Sequence, residues 1–223
     1  MDKKLLKEAV IKYVAGILLV GVLLFLPAGT LKWRNGWIFM AVLFIPMFLA
    51  GIVMYLKAPD LLRSRLNARE RQSEQKDVIG LSGLMFLVAF IVAGLNYRFK
   101  WISFPPGSVT FGCIVFLLSY RGFAEVLREN AYLSRTIEVQ QGQKVVDTGM
   151  YGIVRHPMYA VTVFLFFSMM VILDSPFSFV IMLLYIPLII KRIMNEEYVL
   201  EKELEGYRDY KNKVRYRLIP YIW

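Results

Sequence analysis

The sequence predicts an all-α, polytopic membrane protein. Hydrophobic residues make up 57% of the 223 positions, whereas an ordinary globular domain has about 45–50%. Most of this excess lies in uncharged runs of 16 to 22 residues, and about 20 helical residues suffice to cross a hydrocarbon core of roughly 30 Å. The lysines and arginines lie between these runs. Together these features exclude a water-soluble globular enzyme, a disordered chain and a coiled coil.

Four of the runs predict transmembrane helices. They cover residues 13–31, 35–56, 78–97 and 101–120. The pair Pro105-Pro106 disturbs the first turn of the last run, because proline lacks an N–H and fixes φ, so we expect that helix to begin near Gly107. Gly16, Gly21, Gly80 and Gly83 in these runs predict places where helices pack closely.

Two shorter runs, residues 157–173 and 175–190, predict a C-terminal helical hairpin. The Asp174-Ser175-Pro176 sequence between them is a turn signal. Both runs are close to the lower limit for a span, so we expect five to six spans in all, with the hairpin crossing thinly or incompletely.

The tail beyond Glu196 predicts an amphipathic helix on the cytoplasmic membrane surface. Its apolar and aromatic residues recur at helical intervals and its other faces are charged. The recurring positions are Leu200, Leu204, Tyr207, Tyr210 and Val214.

The distribution of basic residues predicts the orientation. Of the 27 lysines and arginines, 23 lie in the N-terminal tail, in residues 57–77 (a charged loop or interfacial helix), in residues 121–155 or in residues 191–223. The opposite side carries only Lys32, Arg34, Arg98 and Lys100. By the positive-inside rule, both termini and any site built from these segments are cytoplasmic.

Composition also limits the chemistry. The chain has one cysteine, Cys113, and one histidine, His156, so a disulfide framework, a cysteine zinc site and a histidine-rich metal centre are excluded, and we predict no metal site. The net charge of +10 does not indicate nucleic-acid binding, since the basic residues lie between apolar runs instead of on one soluble face.

The most specific pattern lies in the C-terminal half. Residues 138–159 read EVQQGQKVVDTGMYGIVRHPMY, and they are followed by Glu196-Glu197-x-x-Leu200 and by Tyr207-x-x-Tyr210-x-x-x-Val214. In order and spacing these motifs resemble the isoprenylcysteine carboxyl methyltransferase family over about residues 106–220. The resemblance implies a membrane enzyme that transfers a methyl group from S-adenosylmethionine. We therefore divide the chain into N-terminal helices with a cytoplasmic loop, residues 1–105, and a methyltransferase catalytic region, residues 106–223.

His156 and Pro157 open the fifth apolar run. Proline is favoured at the first helical position, which places His156 at the helix cap. A helix N-terminus presents unpaired N–H groups and a partial positive charge, so it suits the carboxylate of an amino-acid-like cofactor. The alternative is a simple membrane-entry cap with Tyr159 as an interfacial aromatic residue.

The resemblance also implies roles for individual residues. Arg192 corresponds to the family's arginine for the substrate carboxylate, a task that suits the planar guanidinium fork. Glu196 corresponds to the cofactor-binding glutamate. The full set of implied cofactor-binding residues is Gln140, Gln143, Lys144, Val145, Val146, Tyr151, His156, Pro157, Met158, Tyr159 and Glu196.

A simpler interpretation of Arg192 and Glu196 stays open. They are four residues apart and share one helix face, so they could form an ordinary ion pair worth about 0.2–0.5 kcal/mol. Asn130 is likewise either a polar contact of the site or a helix C-cap.

Several functions remain in competition. A carboxylate acceptor is already ionised near neutral pH, so methyl transfer needs no general base and depends on positioning and on removal of water. The acceptor is expected to be lipid-like or prenylated; because the compact chain lacks eukaryotic targeting features, we expect a prokaryotic cytoplasmic membrane, where prenylcysteine itself is not the expected substrate. The alternatives are methylation of a phospholipid or another lipid, an NADPH-dependent oxidoreductase similar to sterol reductases, and a non-catalytic scaffold.

Overall fold

The computed structural model describes residues 2–67, 73–130, 132 and 139–223. Within these residues the chain is helical and contains no β-strand, which confirms the predicted fold class. Parts of two predicted polar segments, residues 68–72, 131 and 133–138, lie outside the described residues. The helices are α1 (Lys3–Ala28), α2 (Arg34–Lys57), α3 (Pro59–Asn67), α4 (Ser73–Phe99), α5 (Ser108–Glu129), α6 (Pro157–Ile172), α7 (Pro176–Met182), α8 (Tyr185–Glu203) and α9 (Tyr207–Lys213), with a 3₁₀ turn at Gly149–Gly152.

Five helical segments in the described residues are long and apolar enough to cross a membrane. They are α1, α2, α4 from Asp77 onward, α5, and the combined segment Pro176–Glu203. Helix α6, with 16 residues, is shorter. The predicted arrangement of four spans followed by a C-terminal hairpin is confirmed, and α5 begins directly after Gly107 as expected.

The second arm of the hairpin is interrupted between α7 and α8, at Leu183 and Leu184. Pro187 explains the interruption, because a proline within a helix removes one backbone hydrogen bond and its ring clashes with the carbonyl four residues earlier, here that of Leu183. The apolar run 175–190 therefore contains two helical segments, joined by a short turn in which both leucines keep right-handed helical dihedral angles.

The tail differs from the single membrane-surface helix that the sequence predicts. Helix α8 continues to Glu203, and the chain then turns at Gly206, which has φ +80°. Glycine adopts this left-handed conformation without the penalty that a Cβ imposes. The apolar face of the tail is buried against the polar loop that precedes α6: Leu204, Tyr207, Tyr210 and Val214 pack with Val139 and Val145 of the loop and with Leu200 of α8.

The two ends of the helix bundle have different characters. At one end the start of α1 contacts α3, with Arg63 Nη2 2.8 Å from Asp2 Oδ2, and the loop before α6 and the tail lie together. At the other end Trp33 stacks on Tyr97 with ring centroids 5.1 Å apart. The basic segments therefore collect at one end, as the predicted topology requires.

Helices α1 and α4 approach each other closely at a glycine that the sequence pattern did not single out. A Cβ atom on Gly94 of α4 would lie 2.6 Å from the carbonyl oxygen of Leu24 in α1. By contrast, no described atom lies within 4 Å of such an atom on Gly80 or Gly83, and Gly16 and Gly21 make only ordinary contacts. The interpretation of those four glycines as close-packing sites is therefore wrong, because Gly80 and Gly83 have open space beside them and Gly16 and Gly21 meet only side chains of α2.

Alanine substitutions test the contact between α1 and α4. Alanine favours helix over glycine by about 1 kcal/mol, but at Gly94 its Cβ overlaps the backbone of α1, and overpacking costs about 1–3 kcal/mol. We expect Gly94→Ala to lower the melting temperature in detergent. Gly80→Ala in the same helix is the control and should leave it unchanged or raise it; equal melting temperatures would contradict the close approach.

Candidate active site

The N-terminus of α6 forms the floor of a polar cavity. Pro157 occupies its first turn and His156 is its N-cap residue, as predicted, and no side chain caps the helix. Pro157 has no N–H, and the N–H groups of Tyr159 and Ala160 donate to the His156 carbonyl. Among the described contacts, the Met158 N–H is therefore the first-turn group that stays available to another acceptor. His156 is buried, and its ring stacks on that of Tyr159 with centroids 5.8 Å apart.

Helix α8 presents Arg192 and Glu196 to the same cavity. The Tyr159 hydroxyl donates to Glu196 Oε2 at 2.5 Å, and Arg192 Nε donates to the Tyr159 oxygen at 3.0 Å. The described contacts thus join the two side chains through the tyrosine hydroxyl.

Glu197, the residue next to Glu196, holds the surrounding backbone in place. Its Oε1 accepts from Arg155 Nε at 2.7 Å and lies 3.2 Å from His156 Nε2, and its Oε2 accepts from Arg217 Nε at 2.9 Å. Glu197 and Arg155 are both buried. A buried carboxylate is stable only when it is paired in this way.

The C-terminal segment is attached to the cavity by further bonds from the same residues. Arg155 Nη1 donates to the carbonyl oxygens of Val214 and Arg215 at 2.7 and 2.8 Å. The backbone N–H groups of Arg155 and His156 donate to the carbonyls of Tyr216 and Arg217. These bonds fix the C-terminal segment against the residues that precede α6.

The loop before α6 forms the opposite wall and is folded on itself. Gly142, with φ +73°, makes the turn, and Gln143 Oε1 accepts from the backbone N–H of Gln140 at 2.9 Å. The Gln140 side-chain nitrogen donates to the Tyr132 carbonyl at 2.8 Å. Gln140 thus stabilises the loop, and it is the one predicted site residue that does not line the cavity.

Tyr151 joins this loop to the helices. Its hydroxyl accepts from Asn130 Nδ2 at 3.0 Å, and its carbonyl accepts from the Tyr210 hydroxyl at 2.8 Å. Burial raises the pKa of Tyr151 to about 12, so the hydroxyl stays protonated and keeps a hydrogen to donate. Asn130 is both the C-cap of α5 and a lining residue of the cavity, so both interpretations of it hold.

The structure brings the other predicted residues together. Arg192 and ten of the eleven expected cofactor-binding residues line the polar cavity: Gln143, Lys144, Val145, Val146, Tyr151, His156, Pro157, Met158, Tyr159 and Glu196. Additional lining residues that the motifs did not assign include Tyr132, Arg155, Leu200, Leu204, Tyr207 and Tyr210. The motifs Glu196-Glu197-x-x-Leu200 and Tyr207-x-x-Tyr210 were the sequence signals that could have identified Leu200, Tyr207 and Tyr210.

A second cavity, of about 450 Å³, adjoins the first and is mainly apolar. It lies among α3, α4, α5, α6 and α8, and it shares Met158, Tyr159 and Arg192 with the polar cavity. Its other lining residues include Val78, Ile79, Phe123, Leu188 and Ile189. In the described part of the chain, no group of three or more histidine, cysteine, aspartate or glutamate side chains could hold a metal ion.

These features define a polytopic membrane protein with a polar site at one end of its helix bundle and an apolar cavity beside it. Residues 110–202 match the model of the isoprenylcysteine carboxyl methyltransferase family. The matched segment contains the motifs of residues 138–159 and 196–200, so the chain is similar to this family where its motifs indicated the resemblance.

The fold agrees with a solved structure. The chain is similar to the eukaryotic intramembrane Ras methyltransferase, an isoprenylcysteine carboxyl methyltransferase, with 19% sequence identity and a TM-score of 0.58. The match covers 94% of this chain and 75% of that one. At this identity the likeness shows a shared fold. No curated protein matches the sequence significantly.

The buried carboxylate of Glu197 can be tested by an isosteric change. Glu197→Gln keeps the shape but leaves Arg155 and Arg217 without their anionic partner, and breaking a buried ion pair costs about 3–5 kcal/mol. We expect a large drop in melting temperature. Glu201→Gln in the same helix is the control, because Glu201 pairs with Lys211 near the surface, where an ion pair is worth about 0–1 kcal/mol. Similar losses in both variants would contradict the structural role of Glu197.

Proposed function

We propose that this protein transfers a methyl group from S-adenosylmethionine to the carboxylate of an amphiphilic, lipid-like acceptor at the cytoplasmic face of a prokaryotic membrane. The observation that carries the proposal is the meeting of the two cavities. The polar cavity, lined by the expected cofactor residues, and the apolar cavity share Tyr159 and Arg192. A polar donor and an apolar acceptor can therefore approach each other at one place.

The polar groups of the first cavity fit this cofactor. The carboxylate of Glu196 suits an ammonium group, and the uncapped N-terminus of α6 suits a carboxylate. Tyr207 supplies a further observation: it is 4% exposed, it lines the cavity, and its hydroxyl has no hydrogen-bond partner in the described part of the chain. Because a buried unpaired hydroxyl is costly, a ligand with a polar group at this place would stabilise it.

The cavity has to widen when the cofactor binds. Its volume is about 90 Å³, whereas ligand pockets usually measure roughly 300–1,000 Å³. The loop of residues 139–146 is a wall without helical structure, and two of its hydrogen bonds join Gln140 and Gln143 within the loop itself. We propose that this loop moves outward to admit the cofactor and then covers it.

The second cavity fits an acceptor with an apolar chain and an anionic head. Its walls are mainly aliphatic and aromatic, and Arg192 lies where it meets the polar site. Arg65 of α3 also lines it. Two guanidinium groups in the lining suit an anionic head group, because the guanidinium fork binds the oxygens of a carboxylate or phosphate.

Catalysis then depends on positioning. Bound S-adenosylmethionine supplies an electrophilic methyl group. Arg192 holds both oxygens of the acceptor carboxylate in one plane, and the Tyr159 hydroxyl fixes the Arg192 side chain by accepting from its Nε. The tail, with Leu204 and Tyr207 buried against the loop, keeps water away from the carboxylate, which raises its reactivity.

Calorimetry on the purified protein tests the choice of cofactor. We expect S-adenosylhomocysteine to bind and NADPH not to bind, because the donor set of the cavity suits an amino-acid group and a sulfonium nucleoside. The reverse result would indicate an oxidoreductase instead.

The same preparation also identifies the acceptor chemistry. With methyl-labelled cofactor and an isoprenylcysteine probe or a membrane lipid extract, a carboxylate acceptor gives label that is released as methanol in mild alkali. Label that resists alkali would indicate methylation of a phospholipid amine and would overturn the carboxylate assignment.

Substitutions on one face of α8 separate the two proposed roles. Glu196→Gln should weaken S-adenosylhomocysteine binding by about 1.5–3 kcal/mol, the range for a hydrogen bond to a charged group. Arg192→Lys should leave this affinity nearly unchanged but reduce methyl transfer at least tenfold, since lysine does not reproduce the planar fork.

Lys191→Gln is the control, because it removes a neighbouring exposed cation from the same helix, and it should change neither measurement. If Glu196→Gln and Arg192→Lys gave small and similar losses of both binding and transfer, the two side chains would be a structural pair and the assignment of the site would be wrong.

A further inference from the structure

Another polar cavity, separate from the two cavities of the candidate active site, lies at the opposite end of the helix bundle. It measures about 560 Å³ and is enclosed by the α1–α2 connection, the end of α4, the segment after α4 and the α6–α7 turn. All four basic residues that the sequence leaves on this side line it: Lys32, Arg34, Arg98 and Lys100. They come from two connections that are distant in sequence, so the fold itself brings them together.

The positive charge of this cavity is not compensated. None of the four basic side chains forms an ion pair with a residue that the structure describes. Among the described lining residues, Asp174 supplies the one carboxylate, and its Oδ1 already accepts from the backbone N–H of Phe104 at 2.7 Å. Like charges this close repel one another within the Debye length of about 8 Å, and a bound anion would offset that repulsion.

Asn96 supplies an independent indication of a ligand. It is 4% exposed and lines the same cavity. Its Nδ2 donates to the carbonyl oxygens of Ile102 and Asp174 at 2.9 and 3.2 Å, and because both partners are acceptors, the orientation of the amide is fixed. Its Oδ1 has no hydrogen-bond donor among the described residues, so the cavity offers a buried acceptor that lacks a partner.

Aromatic side chains place the cavity at the level of lipid headgroups. Trp37, Phe99 and Trp101 are about half exposed close to its rim, and tryptophan is enriched where a membrane protein meets the interface. A ligand at this depth reaches the cavity from the bilayer surface. Arginine and lysine clusters in such positions recognise the phosphates of anionic lipids.

We propose that this cavity binds the headgroup of an anionic phospholipid that carries a hydroxyl group, such as a phosphoglycerol headgroup. Lys32, Arg34, Arg98 and Lys100 surround its phosphate, and Asn96 Oδ1 accepts a hydrogen bond from its hydroxyl. The site lies on the opposite side of the membrane from the methyl-transfer site and does not depend on the proposed function.

Native mass spectrometry of the full-length protein with added lipid tests the proposal. Wild-type protein should retain phosphatidylglycerol at least tenfold better than phosphatidylcholine. The variant Lys32→Gln, Arg34→Gln, Arg98→Gln, Lys100→Gln should lose this preference. The matched control Lys3→Gln, Lys4→Gln, Lys7→Gln, Lys191→Gln removes the same charge from the other end and should keep it. Equal retention by wild type and the first variant, or equal loss in both variants, would overturn the site.

Two further ligands test the chemistry of the site. Both experiments use the wild-type protein, so they do not depend on how a variant folds. Phosphatidylmethanol has the same charge as phosphatidylglycerol but no hydroxyl, so it should bind several times more weakly; equal binding would overturn the role of Asn96. Inorganic phosphate at millimolar concentration should not displace the lipid. Complete displacement would show that the cavity is a site for a free anion, which contradicts a lipid site.

Discussion

The buried carboxylate of Glu197 is the interaction on which the geometry of the candidate active site depends. Removing an ionised carboxylate from water costs several kcal/mol, and this cost is met only when cations surround it closely. Here Arg155 and Arg217 contact its two oxygens and the ring of His156 lies beside them. One side chain of α8 therefore fixes the segment before α6 and the C-terminal segment at the same time.

Glu196 and Glu197 of α8 have different surroundings because their side chains leave the helix in different directions. Successive residues in an α-helix are about 100° apart around its axis. Glu197 therefore faces the protein interior, where it is 3% exposed, while Glu196 faces the cavity and contacts Tyr159. The interior carboxylate positions the cap of α6, and the cavity carboxylate stays near a ligand. A rigid cap with an uncapped N-terminus is then available to a cofactor without a large rearrangement of the helices.

Local features of the sequence predicted the helices, whereas the family resemblance supplied most of the residues that line the cavity. The length of the uncharged apolar runs predicts the membrane-spanning helices. Pro157 predicts the start of α6, because its ring suits the first helical turn. Contacts between distant segments were not predictable in this way. The bond from Arg155 to Glu197 spans 42 positions, and nothing in the local pattern distinguishes it from two ordinary charges.

The errors have equally specific causes. Helical spacing in the tail suggested one membrane-surface helix, but Gly206 ends it and the loop before α6 covers its apolar face. The side chain of Gln140 bonds to a nearby carbonyl instead of lining the cavity, and a sequence motif does not specify the direction of an amide. Gly94, not the more regularly spaced glycines, contacts α1, because the rotation of α4 about its axis is set by packing.

The length of α6 connects the two ends of the molecule. Its 16 residues span about 24 Å, which is less than a hydrocarbon core of roughly 30 Å. His156 at one end and Asp174 just beyond the other therefore do not both reach the headgroup level of an unperturbed bilayer. A difference between helix length and bilayer thickness is accommodated by thinning the bilayer, which costs fractions of a kcal/mol per Å. Such thinning draws headgroups inward at the end where four basic residues surround a cavity. At the other end, thinning brings His156 and Tyr159 close to the headgroup level, so that under the proposed function an acceptor still embedded in lipid can reach the proposed site.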